Sequence, residues 1–257
     1  MKIQIVVAAH REYRMPDDPL YLPVQAGRAL HAPLSFIGDD SGENISIKNP
    51  HYCELTCLYW AWKNLDADAI GLCHYRRYFA GKQFGSKWSR LLTASQAEEM
   101  LTKAPVILPK KRNYYIETGW SQYAHAHHEE DLILTRTILS ERWPAYVSAF
   151  DKALSRTSGH RFNMFIMRRE ILDRYCCWLF AVLADLEDRL DISNYNANDQ
   201  RVFGFVAERL LDVWIGTEQI TYCECPVIHM ESQHWLKKGS AFLKRKFSPR
   251  RHNPAGT

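Results

Sequence analysis

Apolar residues along this chain fall into short unbroken runs and into longer stretches at helical spacing, and the two kinds alternate. Ile3 to Ala9 is strand-like, apolar throughout except for Gln4, and it stops at the polar group His10-Arg11-Glu12-Tyr13. Pro16 and Pro19 mark a loop, Leu22 to Leu30 suggests a short turn or helix, and Leu34 to Ile37 suggests a second strand. That strand ends in Gly38-Asp39-Asp40-Ser41-Gly42, which is turn chemistry. Asn49-Pro50 precedes a helix expected from His51 to Asn64, with Leu55, Leu58, Tyr59 and Trp62 at helical spacing. Ala69 to Cys73 then reads as a buried strand. Strand, helix, strand in this order argues for a parallel α/β sheet.

The second half is more helical. A helix opens at Ala94, with Ser95 as a cap for Glu98, and Pro105 to Pro109 is a short buried strand. Gln122 to Leu139 reads as one helix holding His125, His127 and His128. Phe162 to Met167 reads as a strand leading into an apolar helix from Arg168 to Leu190, and Asp199 to Trp214 as a further helix. The expected fold is α/β: a Rossmann-type, mostly parallel sheet flanked by helices, with helical elaboration in the C-terminal half. Residues 1–235 form one domain in this reading and 236–257 a tail.

Charge sharpens the division. The chain carries a formal +4, yet residues 1–231 hold 26 Lys and Arg against 29 Asp and Glu. All the excess positive charge lies in Lys237, Lys238, Lys244, Arg245, Lys246, Arg250 and Arg251. With Phe242, Leu243 and Phe247 interleaved, this tail suits an anionic membrane surface, though a solvated end fits as well; nucleic acid is the weaker third reading. The apolar N-terminus is too short for a signal h-region, and no run approaches the ~20 residues of a membrane span. Seven cysteines without secretory context suggest reduced thiols in a cytoplasmic protein.

Candidate chemistry gathers where apolar strands end. His74, Arg76 and Arg77 follow the Ala69–Cys73 run, where open α/β sheets bind ligands, and their side chains suit phosphate oxygens. A surface arginine pair in a salt bridge is the plain alternative. Lys48 and Asn49 stand at the start of a helix whose free N–H groups favour an anion. Asp66-Ala67-Asp68 has the letters of a metal-binding Asp-x-Asp, but it precedes its strand; Asp39-Asp40 is a weaker metal candidate. A divalent cation such as Mn²⁺ or Mg²⁺ is therefore not favoured, and no metal ligands are assigned. Asp199, at a helix start, is the candidate general base, with Glu208 further along the same helix as a second catalytic candidate. Helix capping accounts for Asp199 equally well, and ordinary ion pairing accounts better for Glu208. His125 is an acceptor-site contact rather than a metal ligand in this reading.

Six segments together resemble a known family. They are VVAAHREY (6–13), YLPVQAG (21–27), GENISIKNPHYCELTCLYWAWKN (42–64), IGLCHYRRYF (70–79), RFNMFIMRREILDRYCCWLFAVL (161–183) and QRVFGFVAERLLDVWI (200–215). The chain is similar to bacterial glycosyltransferases of capsular and exopolysaccharide biosynthesis, some of them galactosyl- or galactofuranosyltransferases, whose shared domain long lacked an assigned function. The resemblance implies a GT-A-like fold, a UDP-sugar donor, and a lipid-linked or growing-glycan acceptor at the inner face of the cell membrane. It implies that His10 and Tyr13 line a nucleotide pocket. Asn44, Lys48 and Asn49 would hold donor hydroxyls or phosphate, and His74, Arg76 and Arg77 would face the diphosphate. Asn163 and Asp199 would face the acceptor. Arg11 stands where such proteins are expected to carry Lys, which keeps the charge and changes the geometry. A noncatalytic sugar- or partner-binding subunit of a polysaccharide assembly complex is the alternative function.

Overall fold

The computed structural model describes residues 1–231; the tail with its membrane-surface reading, and the domain limit at 235, lie outside the described residues. In chain order the strands are β1 (Ile3–Ala9), β2 (Tyr21–Gln25), β3 (Ile37–Gly38), β4 (Ala69–His74), β5 (Arg77–Phe79), β6 (Val106–Pro109), β7 (Arg112–Asn113), β8 (Ser158–Gly159), β9 (Phe165–Arg168), β10 (Tyr222–Cys225) and β11 (Val227–His229). The helices are α1 (Asn49–Tyr52), α2 (Leu55–Asn64), α3 (Ala94–Lys103), α4 (Gly119–Ala126), α5 (Glu129–Arg142), α6 (Val147–Ser155), α7 (Arg169–Arg189) and α8 (Val202–Thr217).

The main sheet runs β10-β6-β9-β4-β1-β2-β3, with β5 joined to β4 and β11. Strands β1, β2, β3 and β4 are parallel, whereas β9 lies antiparallel between β4 and β6. Side chains of β1 alternate between two cores. Val6 and Ala8 pack with Leu58, Leu179, Phe203 and Trp214 beneath α2, α7 and α8. Ile5, Val7 and Ala9 pack with Tyr78, Phe79, Ala97 and Leu101 on the α3 side. Both faces of the sheet are covered, so its central strands read as unbroken apolar runs. The architecture is α/β and GT-A-like. No helix among the described residues is long and apolar enough to cross a membrane.

Several sequence expectations are corrected. Leu22–Leu30 is not a helix: Tyr21–Gln25 is β2, followed by a 3-10 turn at Arg28–Leu30. Pro23 is tolerated there because β3 pairs only with Val24 and Gln25, leaving β2 an edge at that point. Thr93, not Ser95, caps α3, in a reciprocal box with Gln96. The stretch Gln122–Leu139 is two helices, separated where His127 is extended. The helix expected over His51–Asn64 breaks at Cys53, which has φ 54°.

Gly71 sits where β4 is hemmed in by β1 and β9. A Cβ there would stand 2.9 Å from Ile166 Cγ1, 3.0 Å from the Phe165 carbonyl and 3.1 Å from Ile5 Cγ1. Gly71→Ala is therefore expected to destabilise the fold by about 1–3 kcal/mol, read as a lower urea midpoint at unchanged m-value. An unchanged midpoint would mean that the strands part freely at this point.

Candidate active site

A cleft of about 1330 Å³ opens beside the carboxyl ends of β1 and β4. Four segments wall it: His74–Arg77 at the β4–β5 turn, Asn49–Glu54 around the α1–α2 break, the first turns of α8, and Arg112–Glu117 with α4. Arg76, Arg77, Arg112, Arg161, Arg201 and Arg209 line it against three carboxylates, Glu54, Glu117 and Glu208. A formally acidic body thus carries a basic cleft. Such a concentration of guanidinium groups favours an anionic, oxygen-rich ligand.

The arginines are held in different ways. Arg77 lies with its guanidinium carbon 4.4 Å from the centre of the Phe162 ring, and its side chain has no hydrogen-bond acceptor among the described residues. Burial pulls its pKa down, while Glu208 and Glu54 pull it back up. Arg76 packs on Tyr75; its Nε lies 3.1 Å from Glu231 Oε1, off the hydrogen-bonding direction, and finds no acceptor. Arg201 Nε approaches Cys53 Sγ at 3.1 Å. Arg209 is only 4% exposed and donates to Glu208 Oε2 at 2.9 Å and to Gln122 Oε1 at 2.7 Å, and its Nε is left without an acceptor among the described residues. Arg161 donates from Nε to the Tyr114 hydroxyl at 2.6 Å.

The backbone around the cleft is strained. Cys53, Tyr115 and Phe162 line it with φ of 54°, 61° and 79°, and Asn163 beside them has φ 49°. Non-glycine residues in this region cost on the order of 1–3 kcal/mol each, and they persist where surrounding contacts over-determine them. Here the Asn163 amide supplies such contacts, donating to Glu54 Oε1 at 2.7 Å and to the Gly204 carbonyl at 3.0 Å. Gly204 permits the approach of α8: a Cβ there would stand 3.2 Å from Cys53 Sγ. His74 joins the same knot through Nε2, 2.5 Å from the Phe162 carbonyl.

Of the residues singled out from sequence, His10, Asn49, His74, Arg76, Arg77, His125 and Glu208 line the cleft together. Tyr13 backs it, packing edge-on against Tyr75 at 5.0 Å between ring centres. Asn163 lies behind the wall, buried. Asn44 and Lys48 are elsewhere. Asn44 donates to the Asp40 and Gly42 carbonyls within its own turn, and Lys48 pairs with Glu187 at 2.5 Å. Asp199 is 2% exposed, beneath His127 and His128 at 3.5 and 3.3 Å, and Asn196 donates to it at 2.6 Å. Direct contact between that carboxylate and a substrate is therefore blocked by its own partners.

One carboxylate of each acidic pair is already engaged by the protein itself. Asp68 accepts the Lys2 amide at the amino end of β4, away from the cleft. Asp39 is consumed by the Gly27 and Arg28 amides and the Ser46 hydroxyl. Among the described residues no group of three or more His, Cys, Asp or Glu converges as metal ligands would.

Residues 4–219 match the family described as a domain of unknown function, DUF4422. The chain belongs to that family. Among solved structures, the DUF4422 chain is similar to the apo structure of the bifunctional glycosyltransferase WbbM, with TM-score 0.84 and 28% identity over 90% of this chain. It spans 46% of the WbbM chain, less than half of that protein. No curated protein matches the sequence.

Sequence reading missed much of the DUF4422 cleft. Glu54, Arg112, Tyr114, Glu117, Gln122 and Arg161 line it and were not singled out. Arg112 stands in no motif, Arg161 opens the 161–183 segment without a role assigned to it, and the pairing of β7 with β8 brings their segments together. The run Lys110-Lys111-Arg112 straight after a strand was the one available signal, by the same logic that picked out Arg76 and Arg77.

His10 reports on the cleft's field. Burial first, then Arg76, Arg11 and Arg201, hold its pKa below the ordinary 6.5. The folded site therefore binds a proton less tightly than the unfolded chain does. Its contribution to stability is complete above pH 6.5 and is lost as pH falls through the folded value. An anion beside Arg76 offsets that field. Sulfate, whose charge is constant here, should raise the Tm more at pH 6 than at pH 8, and His10→Asn should shrink that difference. Equal shifts in the two proteins would remove His10 from the anion site.

Proposed function

We propose that this DUF4422 domain is a glycosyltransferase that moves a hexosyl group from a UDP-sugar to a hydroxyl of a glycan acceptor. The observation that carries the reading is Arg77, half-buried at the start of β5 just past the carboxyl end of β4, with no acceptor of its own among the described residues, flanked by Arg76 and facing Glu208. A leaving diphosphate supplies the missing acceptor oxygens. As the acceptor oxygen bonds to the anomeric carbon, the bond from that carbon to the β-phosphate oxygen breaks, and the electron pair leaves with UDP. Positioned guanidinium groups stabilise that developing charge in a partly desolvated cleft. In this reading they do the work of a divalent cation.

Roles divide by position. His10, with Tyr13 and Tyr75 behind it, faces the nucleotide, and Asn49 faces the donor; Asn44 and Lys48, remote from the cleft, take no part. Glu208 uses Oε2 for Arg209 and keeps Oε1 without a partner among the described residues, so this oxygen is assigned to the donor sugar, where it supports positive charge at the anomeric carbon. Asp199 acts through His127, and Asn163 acts by holding the strained wall. His125 lies on the acceptor side. Likeness to one part of WbbM supports glycosyl transfer, and the family resemblance supports galactose or galactofuranose as the sugar. That resemblance also supports a lipid-linked acceptor in capsule, O-antigen or exopolysaccharide synthesis, at the inner membrane face.

Calorimetry tests the donor. UDP should bind wild-type protein, and Arg77→Ala should weaken it roughly 10- to 100-fold, the worth of charge-assisted hydrogen bonds. Glu208→Gln should keep UDP affinity while cutting UDP release from UDP-hexoses at least ~100-fold. That release should survive excess chelator. Undetectable UDP binding by the wild type would end the proposal.

A further inference from the structure

Four histidines line the cleft, and they differ in what holds them. His10 meets the Tyr75 hydroxyl at 3.3 Å, and His74 meets a backbone carbonyl. His127 lies 3.5 Å from Asp199 but is stacked on Phe205 at 4.1 Å between ring centres, and only 13% of its side chain is exposed. His125 is different. Its Nδ1 stands 2.6 Å from Glu117 Oε1; the Glu117 side chain is 8% exposed and the His125 side chain 53%. A buried carboxylate thus grips one nitrogen of an imidazole whose ring is open to the cleft.

From this dyad we infer that His125 is the general base of the transfer reaction and Glu117 its positioning residue; the inference rests on the glycosyl-transfer reading above. A carboxylate at Nδ1 selects the tautomer with the proton on Nδ1, because an ionised Glu can only accept. The lone pair is then on Nε2. As the acceptor oxygen attacks the anomeric carbon, its proton passes to Nε2, the sugar–phosphate bond breaks, and UDP carries away the bonding electrons. Glu117 then faces an imidazolium, whose charge it stabilises. The product is a new glycosidic bond, UDP, and a proton on His125 for release to water.

Placement agrees with that role. His125 stands one helical turn after Gln122 on α4, and residues three apart share a helix face. Gln122 accepts from Arg209, and Arg209 donates to Glu208. One arginine thus links α4, the helix that carries the base, to the donor-side carboxylate on α8. Tyr114, Tyr115 and Ile116 line the cleft immediately before Glu117, with Tyr115 and Ile116 exposed, which gives an acceptor ring an apolar face next to the base.

Two measurements on the full chain test this. Long-range ¹H–¹⁵N spectra of the imidazole groups at pH 8 should show His125 as the Nδ1–H tautomer, and Glu117→Ala should shift it toward the ordinary Nε2–H form. UDP release from a panel of UDP-hexoses, with water as acceptor, should fall at least ~100-fold in His125→Gln, in the range of general-base catalysis. Glu117→Ala should fall about tenfold, through kcat and not donor KM. The UDP Kd should be unchanged in both variants. UDP release by His125→Gln within threefold of wild type, or an Nε2–H tautomer in the wild type, would overturn the assignment while leaving the donor reading intact. Failure of the wild type to bind UDP would instead remove the reading beneath it.

Discussion

Repulsion among like charges is the constraint around which the rest of this structure is arranged. Six guanidinium groups share one cleft, and each raises the cost of its neighbours. The fold tolerates them by two means. Aromatic faces lie under Arg76, Arg77, Arg161 and Arg201, and Glu208 neutralises Arg209 directly. Pairing is nonetheless incomplete. Arg77 keeps its positive charge without an acceptor, which is a cost in the empty cleft and an advantage when an anion arrives.

That arrangement depends on backbone geometry with no regular-helix counterpart. Were residues 51–64 one continuous helix, as their periodicity suggests, Cys53 could not turn into the cleft wall beside Arg201. The break is secured by close packing of α8 at Gly204, and by an Asn163 amide that bridges Glu54 to that helix. The thiol at the corner serves packing: burial, with Glu54 alongside, pushes the Cys53 pKa up to about 11, far from a reactive thiolate.

The two halves of the cleft differ in character. Near β1 and β4 it is a place for negative charge, built from Arg76, Arg77 and His10. Towards α4 it combines a carboxylate–imidazole pair with tyrosines, a combination suited to hydroxyl groups and sugar faces. Glu208 and Arg209 lie between them on α8. A reaction joining an anionic donor to a hydroxyl-bearing acceptor needs this division, because proton removal and stabilisation of the leaving group must occur at separate points.

Read alone, the chain determined its layered α/β character, its central strands and the polar cluster at the end of β4. Unbroken apolar runs can be buried only inside a sheet covered on both sides, and the residues that follow such runs must emerge at its rim. Local spacing also located α3 and α7 closely. It could not show that α4 and α5 are separate, that Leu22 to Gln25 is strand, or that β5 and β11 exist, because short or edge elements are decided by partners distant in sequence. The site divides along the same line. Arg76 and Arg77 were legible because one strand presents them. Glu117 beside His125, Arg161 beside Tyr114, and the burial of Asp199 beneath two histidines were decided by tertiary structure, since nothing in a linear pattern records which loops and helices close over the end of a sheet.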